Sequence, residues 1–180
     1  MKTNILYTHK DLIEKSKSGD RNSQYKLYEL YVDAMYNVSM RIVSIREDAE
    51  DIIQDSFVDA FKNLTSFRYE STFGSWLKRI VINKSINHLK FKKIPITTLD
   101  KHEYHITEEI KESVNTRDIE KIKKGITRLP YGYRQIINLY LIEGYDHIEI
   151  SEILEISSST SKSQYHRAKK KLIQIINTQA

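Results

Sequence analysis

Residues 146–172 read DHIEISEILEISSSTSKSQYHRAKKKL. Asp146 stands three residues before Glu149, the spacing of a capping box that opens a short helix ending near Leu154. A tight turn follows, and a second helix begins near Ser158 or Ser159 and carries a basic tail. A short helix, a tight turn and a polar, basic helix have the spacing of a helix-turn-helix. On the second helix Tyr165, Ala168 and Leu172 are placed to face the core. That leaves Thr160, Lys162, Ser163, Gln164, His166 and Arg167 to approach a major groove, where hydroxyl, amide and guanidinium groups read base edges and lysines bind phosphate. The plainer alternative is an amphipathic helix with a solvated basic face. Glu155 sits in the turn where glycine is frequent, and a left-handed backbone there costs a non-glycine residue about 1 to 2 kcal/mol.

Upstream, Pro130 and Gly144 bracket YGYRQIINLYLIE as one helix, with proline at its start and glycine past its end. Residues 119–177 therefore form a helical block. A second block spans residues 10–93. Its first helix stops at Gly19. The next runs from about Asn22 to Ser44, with Leu27, Leu30, Tyr31, Ala34, Met35, Val38 and Ile42 at spacings of three and four. A third covers about Asp48 to Leu64 on a stripe of Ile52, Ile53, Phe57, Ala60, Phe61 and Leu64. The fourth starts after Ser71 or Thr72 as N-cap and continues through Phe73, Trp76, Leu77, Ile80, Val81 and Leu89. Between the blocks, IPITTLDKHEYHITEEIKESVNTRD (94–118) lacks sustained periodicity and reads as a flexible linker. The fold class expected is all-α, with two helical domains, 1–93 and 119–180, joined by that linker.

Composition narrows the function classes. The chain of 180 residues contains 5 glycines and 2 prolines, too few for the frequent turns of a sheet protein. It has no cysteine, which excludes disulfides, thiolate metal sites and a cysteine nucleophile and fits a cytoplasmic location. No apolar region of signal-peptide length opens the chain and no stretch nears ~20 apolar residues, so direct membrane insertion is not expected. The net charge of +5 is unevenly spread. Residues 46–59 carry six acids and one base, 76–93 six bases and no acid, 94–118 six acids and three bases, and 156–180 five bases and no acid. Such segregation calls for two basic surfaces for polyanions and a separate acidic surface for another partner.

On the helix from residue 73, Phe73 and Trp76 interleave with Lys78, Arg79, Lys84, Lys90, Lys92 and Lys93, a pattern suited to single-stranded nucleic acid. Trp76 also lies on the apolar stripe and is expected in the core, whereas Phe67 lies in the preceding polar loop. Asp48, Asp51, Asp55 and Asp59 line one helical face, yet a two-metal site would need further ligands and a cleft. His102 and His105 have a zinc-compatible spacing without other convincing ligands. Neither a glycine-rich phosphate loop nor a serine-nucleophile signature is present, so no metal, cofactor or catalytic residue is expected.

Five stretches in order, KSGD, REDAEDIIQDSF, FRYESTFGSWLKRIVINKSINHL, LPYGYRQIINLYLIEGYDHIEISEIL and SKSQYHRAKKKL, resemble the extracytoplasmic-function (ECF) sigma factors, the minimal two-domain class of bacterial transcription initiation factors. The resemblance covers residues 10–93 and 125–175. It implies a non-catalytic specificity subunit of RNA polymerase. Asp51, Gln54 and Asp55 would dock on the clamp helices of the largest polymerase subunit. Phe67, Arg68, Lys78, Arg79, Asn83, Lys84, Asn87 and Lys90 would melt and read the minus-10 element, Phe67 and Asn83 holding a flipped base. The helix-turn-helix would read the minus-35 element, with Ser158, Ser159 and Lys170 joining the groove-facing residues named above. Asn87 and Lys90 replace a common aspartate and arginine, and Glu155, Ser161, Gln164 and Tyr165 differ from the frequent glycine, valine, arginine and leucine. The linker would pass through the polymerase cleft toward the RNA exit path. Core RNA polymerase, promoter DNA and an anti-sigma factor are the implied partners. The competing reading is a free-standing helix-turn-helix regulator, which leaves residues 10–93 without a task.

Overall fold

Gly19, at φ +89°, lets the chain leave its first helix in a left-handed turn, and Asp20 starts the next by accepting the Ser23 N–H at 3.0 Å. The structure, a computed structural model, describes residues 8–92 and 116–178. Among these residues every regular element is helical and no strand occurs. They fall into two compact units that divide after Phe91. The expected linker lies outside the described residues, apart from its last three positions, which open a helix at Thr116.

The first unit contains α1 (Lys10–Lys17), α2 (Arg21–Val43), α3 (Arg46–Lys62) and α4 (Phe73–Phe91). A single 3-10 turn, Leu64–Ser66, follows α3, and Thr72 caps α4 by accepting the Ser75 N–H at 3.1 Å. Helices α2, α3 and α4 pack on one another and α1 packs on α2. The core takes Leu27, Val38 and Ile42 from α2, Ile52 and Phe57 from α3, and Leu77, Val81 and Ile86 from α4. Ser39 and Ser85, both fully buried, place their hydroxyls 3.2 Å apart between α2 and α4. Small side chains here allow close approach while satisfying each other's polar atoms. Leu30, expected in the α2 stripe, is 52% exposed, and Ala34 is exposed as well. The inward stripe runs instead through Leu27, Met35, Val38 and Ile42.

The second unit contains α5 (Thr116–Thr127), α6 (Tyr131–Ile137), α7 (His147–Leu154) and α8 (Ser158–Asn177). Ile126, Leu129, Tyr133, Ile137, Ala168 and Leu172 form its core, with Tyr165, Ile175 and Ile176 packed against it. The single helix expected over 131–143 is present but changes pitch. After Ile137 the backbone widens into a π-helical turn, Asn138–Ile142, and the Glu143 N–H donates to Asn138 O at 2.9 Å. Gly144, at φ +79°, closes it. The capping box of α7 is present: Asp146 Oδ1 accepts the Ile148 and Glu149 N–H groups at 2.7 and 2.8 Å, and Glu149 accepts the Asp146 N–H at 3.0 Å.

Candidate nucleic-acid interface

Helix α4 presents one polar stripe. Trp76, Arg79, Asn83, Asn87 and Lys90 recur at spacings of three and four, so they share a face, while Leu77, Val81 and Leu89 point inward. Arg79, Asn83 and Asn87 are exposed, and Lys78 and Lys90 partly so. Lys84 stands apart from this stripe, its ammonium 2.7 Å from Asp59 of α3. That pair holds the Asp59 carboxyl below its ordinary range, chiefly through the hydrogen bond from Lys84.

The loop before α4 reverses two sequence expectations. Phe67 is 3% exposed, and Trp76 is only partly buried. The Phe67 ring lies 4.7, 5.4 and 5.9 Å from those of Tyr69, Trp76 and Phe73, so the loop folds inward around it. Two residues of α1, invisible to any local pattern, hold this shape. Lys17 Nζ donates to Phe67 O at 3.1 Å and lies 4.9 Å from the Tyr69 ring centroid. Glu14 Oε1 accepts the Tyr69 hydroxyl at 2.6 Å and the Lys17 ammonium at 3.0 Å. These donors hold the Glu14 carboxyl below its usual range, the tyrosine first. Arg68, between the two aromatics, is exposed.

On α3, Asp51, Gln54 and Asp55 are exposed on one face. Gln54 borders a groove between α2 and α3 that Tyr28, Tyr36, Arg46 and Ile53 also line. Asp48 and Asp59, the ends of the acidic row, turn to His88 at 3.1 Å and Lys84. Among the described residues no group of three or more His, Cys, Asp or Glu side chains gathers as a metal site, and His102 and His105 lie outside them.

In the second unit, Glu155 takes the left-handed conformation, φ 56° and ψ 46°, that ends α7. Its N–H and that of Ile156 both turn back to Ser151 O. Ser157 caps α8, accepting the Thr160 N–H at 3.0 Å. Ser159, Lys162, Ser163 and His166 are exposed on α8, with Ser158, Thr160, Arg167 and Lys170 partly so. Gln164 departs from its expected place. It is 5% exposed: Ala168 and Leu172 face the core as expected and Tyr165 packs against it, but the inward face is wider and also takes in Ser161 and Gln164. Tyr165 is partly buried, 4.5 Å from the Tyr140 ring. Ser161 is fully buried, and its hydroxyl meets His147 Nδ1 at 2.9 Å. His147 stacks on Tyr140 at 4.7 Å. A polar bridge thus occupies the α7–α8 contact where an apolar branched side chain is frequent. Burial holds the His147 imidazole below its ordinary range; Lys162 and His166 add to this and Asp146 opposes it.

Among the described residues no helix is long and apolar enough to cross a membrane. The family model for Sigma-70 region 2 matches residues 27–93, and that for Sigma-70 region 4 matches residues 119–172. The ECF RNA polymerase sigma factor SigW of Bacillus subtilis is 32% identical over 177 residues, 91% of this chain and 94% of its own length. The ECF sigma-E factor of Haemophilus influenzae is 29% identical over 175 residues, 90% of this chain and 92% of its own length. The fold is also that of CnrH, solved in complex with the cytosolic domain of CnrY, at a TM-score of 0.57 and 22% identity, covering 94% of this chain and 97% of that one. Two family models in order along one chain, and a relative similar over nearly its whole length, set aside the free-standing regulator. The chain belongs to the ECF RNA polymerase sigma factors, the subunits that give polymerase its promoter specificity.

Proposed function

We propose that this sigma factor divides its work among three surfaces and carries out no catalysis of its own. Asp51, Gln54 and Asp55 dock core RNA polymerase on the clamp helices of its largest subunit, where acidic and amide groups meet basic partners. The 67–72 loop and the α4 face of Lys78, Arg79, Asn83, Asn87 and Lys90 melt and read the minus-10 element. The α8 face of Ser158, Ser159, Thr160, Lys162, Ser163, His166, Arg167 and Lys170 reads the minus-35 element. The observation that carries this reading is the separation of charge by face: an exposed acidic row on α3, and exposed basic and amide rows on α4 and α8.

Gln164 is buried and Lys84 is paired with Asp59, so this reading leaves Gln164 out of the groove-facing set and gives Lys84 a supporting place beside the α4 face. Phe67, enclosed by its neighbours, supports a flipped base from behind Trp76 and Tyr69. The domains divide at 1–93 and 119–180, and the acidic 94–118 segment follows the polymerase cleft between them. The protein works in the cytoplasm. An anti-sigma factor is a fitting further partner, since the sigma factor RpoE of Bartonella quintana, of the same fold, was solved with the anti-sigma factor NepR. The test is transcription in vitro with and without core polymerase. Charge reversal at Asp51 and Asp55 should abolish association with core and all promoter-directed initiation; retained association would remove α3 from the docking surface.

A further inference from the structure

The loop before α4 is closed by contacts reaching back fifty residues or more, and its backbone is strained at one position. Tyr69 is at φ 61°, a conformation that L residues avoid at a cost of about 1 to 2 kcal/mol. Such strain persists only where surrounding contacts over-determine it. Here polar contacts from α1 are among those that hold it. The Tyr69 hydroxyl donates to Glu14 Oε1 at 2.6 Å, the same oxygen accepts Lys17, and Lys17 also ties down Phe67 O and lies over the Tyr69 ring. Trp76, at the head of the α4 stripe, lies 5.4 Å from the enclosed Phe67 ring. Tyr69 and Trp76 are both partly exposed and both lie against the enclosed Phe67 ring, and Trp76 shares its α4 face with Asn83.

We propose that Glu14 and Lys17 of α1 are positioning residues for minus-10 recognition. They latch Tyr69 into its left-handed conformation, so that Tyr69 and Trp76 offer a preformed aromatic surface on which an unstacked base rests. The inference rests on the assignment of the loop and α4 to minus-10 reading. Preforming the surface removes from binding the cost of ordering the loop.

Electrostatics makes the test sharp. Glu14 is an acid near a surface for a polyanion, so its simple removal would tighten DNA binding. The latch gives the opposite sign. Holoenzyme assembled from the full chain and core polymerase is titrated with a fluorescent single-stranded non-template minus-10 oligonucleotide. Glu14→Ala and Tyr69→Phe should each weaken binding between about twofold and tenfold, the worth of one such hydrogen bond. The double variant should be no weaker than either single one. Glu14→Gln keeps an acceptor for the tyrosine and loses the charge, so it should bind as well as the parent or better. Trp76, the single tryptophan, reports the latch directly in the free chain. Its emission should shift to the red and its quenching by iodide should rise in Glu14→Ala and Tyr69→Phe but not in Glu14→Gln.

Unchanged or tighter binding by Glu14→Ala, while Asn83→Ala weakens it, overturns the latch and leaves α4 as the reader. No loss with Asn83→Ala either would overturn both. Glu14→Gln as weak as Glu14→Ala also overturns the proposal.

Discussion

Glu155 and His147 illustrate how single residues set the geometry of the helix-turn-helix. Glu155 is at φ 56°, where glycine has no Cβ to strain. Glu155→Gly should stabilise the turn by about 0.5 to 1 kcal/mol, the relief of strain less the extra chain entropy of glycine. Slower hydrogen exchange of α7 and α8 amides would show it; faster exchange would mean that the side chain contributes more than the strain costs. His147 gives a pH dependence whose sign follows from burial. Its folded pKa lies below the unfolded value, so the unfolded chain takes the proton more readily. Stability that depends on the neutral imidazole is complete above the unfolded pKa of ~6.5 and declines as pH falls below it. Thermal melts of the parent should therefore lose stability from pH 7.5 to 5.5, and His147→Gln should flatten that slope. A parent curve no steeper than that of the variant would dismiss the effect.

At the scale of elements, the helices legible in the sequence are those whose ends are fixed by local chemistry. Asp146 with Glu149, Thr72, and the glycines at 19 and 144 act within a turn of their own positions, and the starts of α7 and α4, the end of α1 and the close of the helical segment before Gly144 follow from them. The π-helical turn at Asn138–Ile142 carries no such local signal. The fuller burial of Phe67 than of Trp76 also lies beyond local pattern. Local polarity marks residues 65–72 as a loop, but Glu14 and Lys17, some fifty residues earlier, decide which ring the loop encloses. On α8 the inward face of Tyr165, Ala168 and Leu172 is legible in the sequence, but its width is not, and Ser161 and Gln164 are buried beside them. Helix contacts also set a substitution whose sign propensity alone gets wrong. Alanine in place of a helical glycine usually stabilises by about 1 kcal/mol. At Gly125 of α5 a Cβ would come within 2.8 Å of Leu172 Cδ1 and 3.2 Å of Ile176 Cγ1, both on α8. Gly125→Ala should therefore destabilise the second unit by about 1 to 3 kcal/mol, as overpacked cores do. A rise in its melting temperature would show that Leu172 gives way.

For the whole molecule, the proposed division of charge by face makes a prediction about when DNA is read. The free chain has basic rows on α4 and α8 and a net charge of +5, enough to hold phosphate anywhere along a duplex. Non-specific attraction of this kind does not require the two readers to be spaced for a promoter. Specific binding does, since minus-10 and minus-35 contacts add their free energies only if both are made at once, and an unaligned pair gains little from the second. On the proposed assignment, the acidic face on α3 would repel DNA and leave alignment to a basic protein partner. The isolated chain should accordingly bind promoter and random duplex alike, with an affinity that falls steeply between 50 and 200 mM salt. Addition of core polymerase should produce discrimination between them, and Arg167→Ala should then relax minus-35 discrimination by about 1 to 3 kcal/mol while Lys170→Ala weakens all sequences evenly. Electrophoretic or anisotropy titrations at two salt concentrations, with and without core, measure each part. Tight promoter-specific binding by the chain alone would show that the two readers are already aligned, and polymerase would then be recruited to a bound sigma factor rather than create the reader.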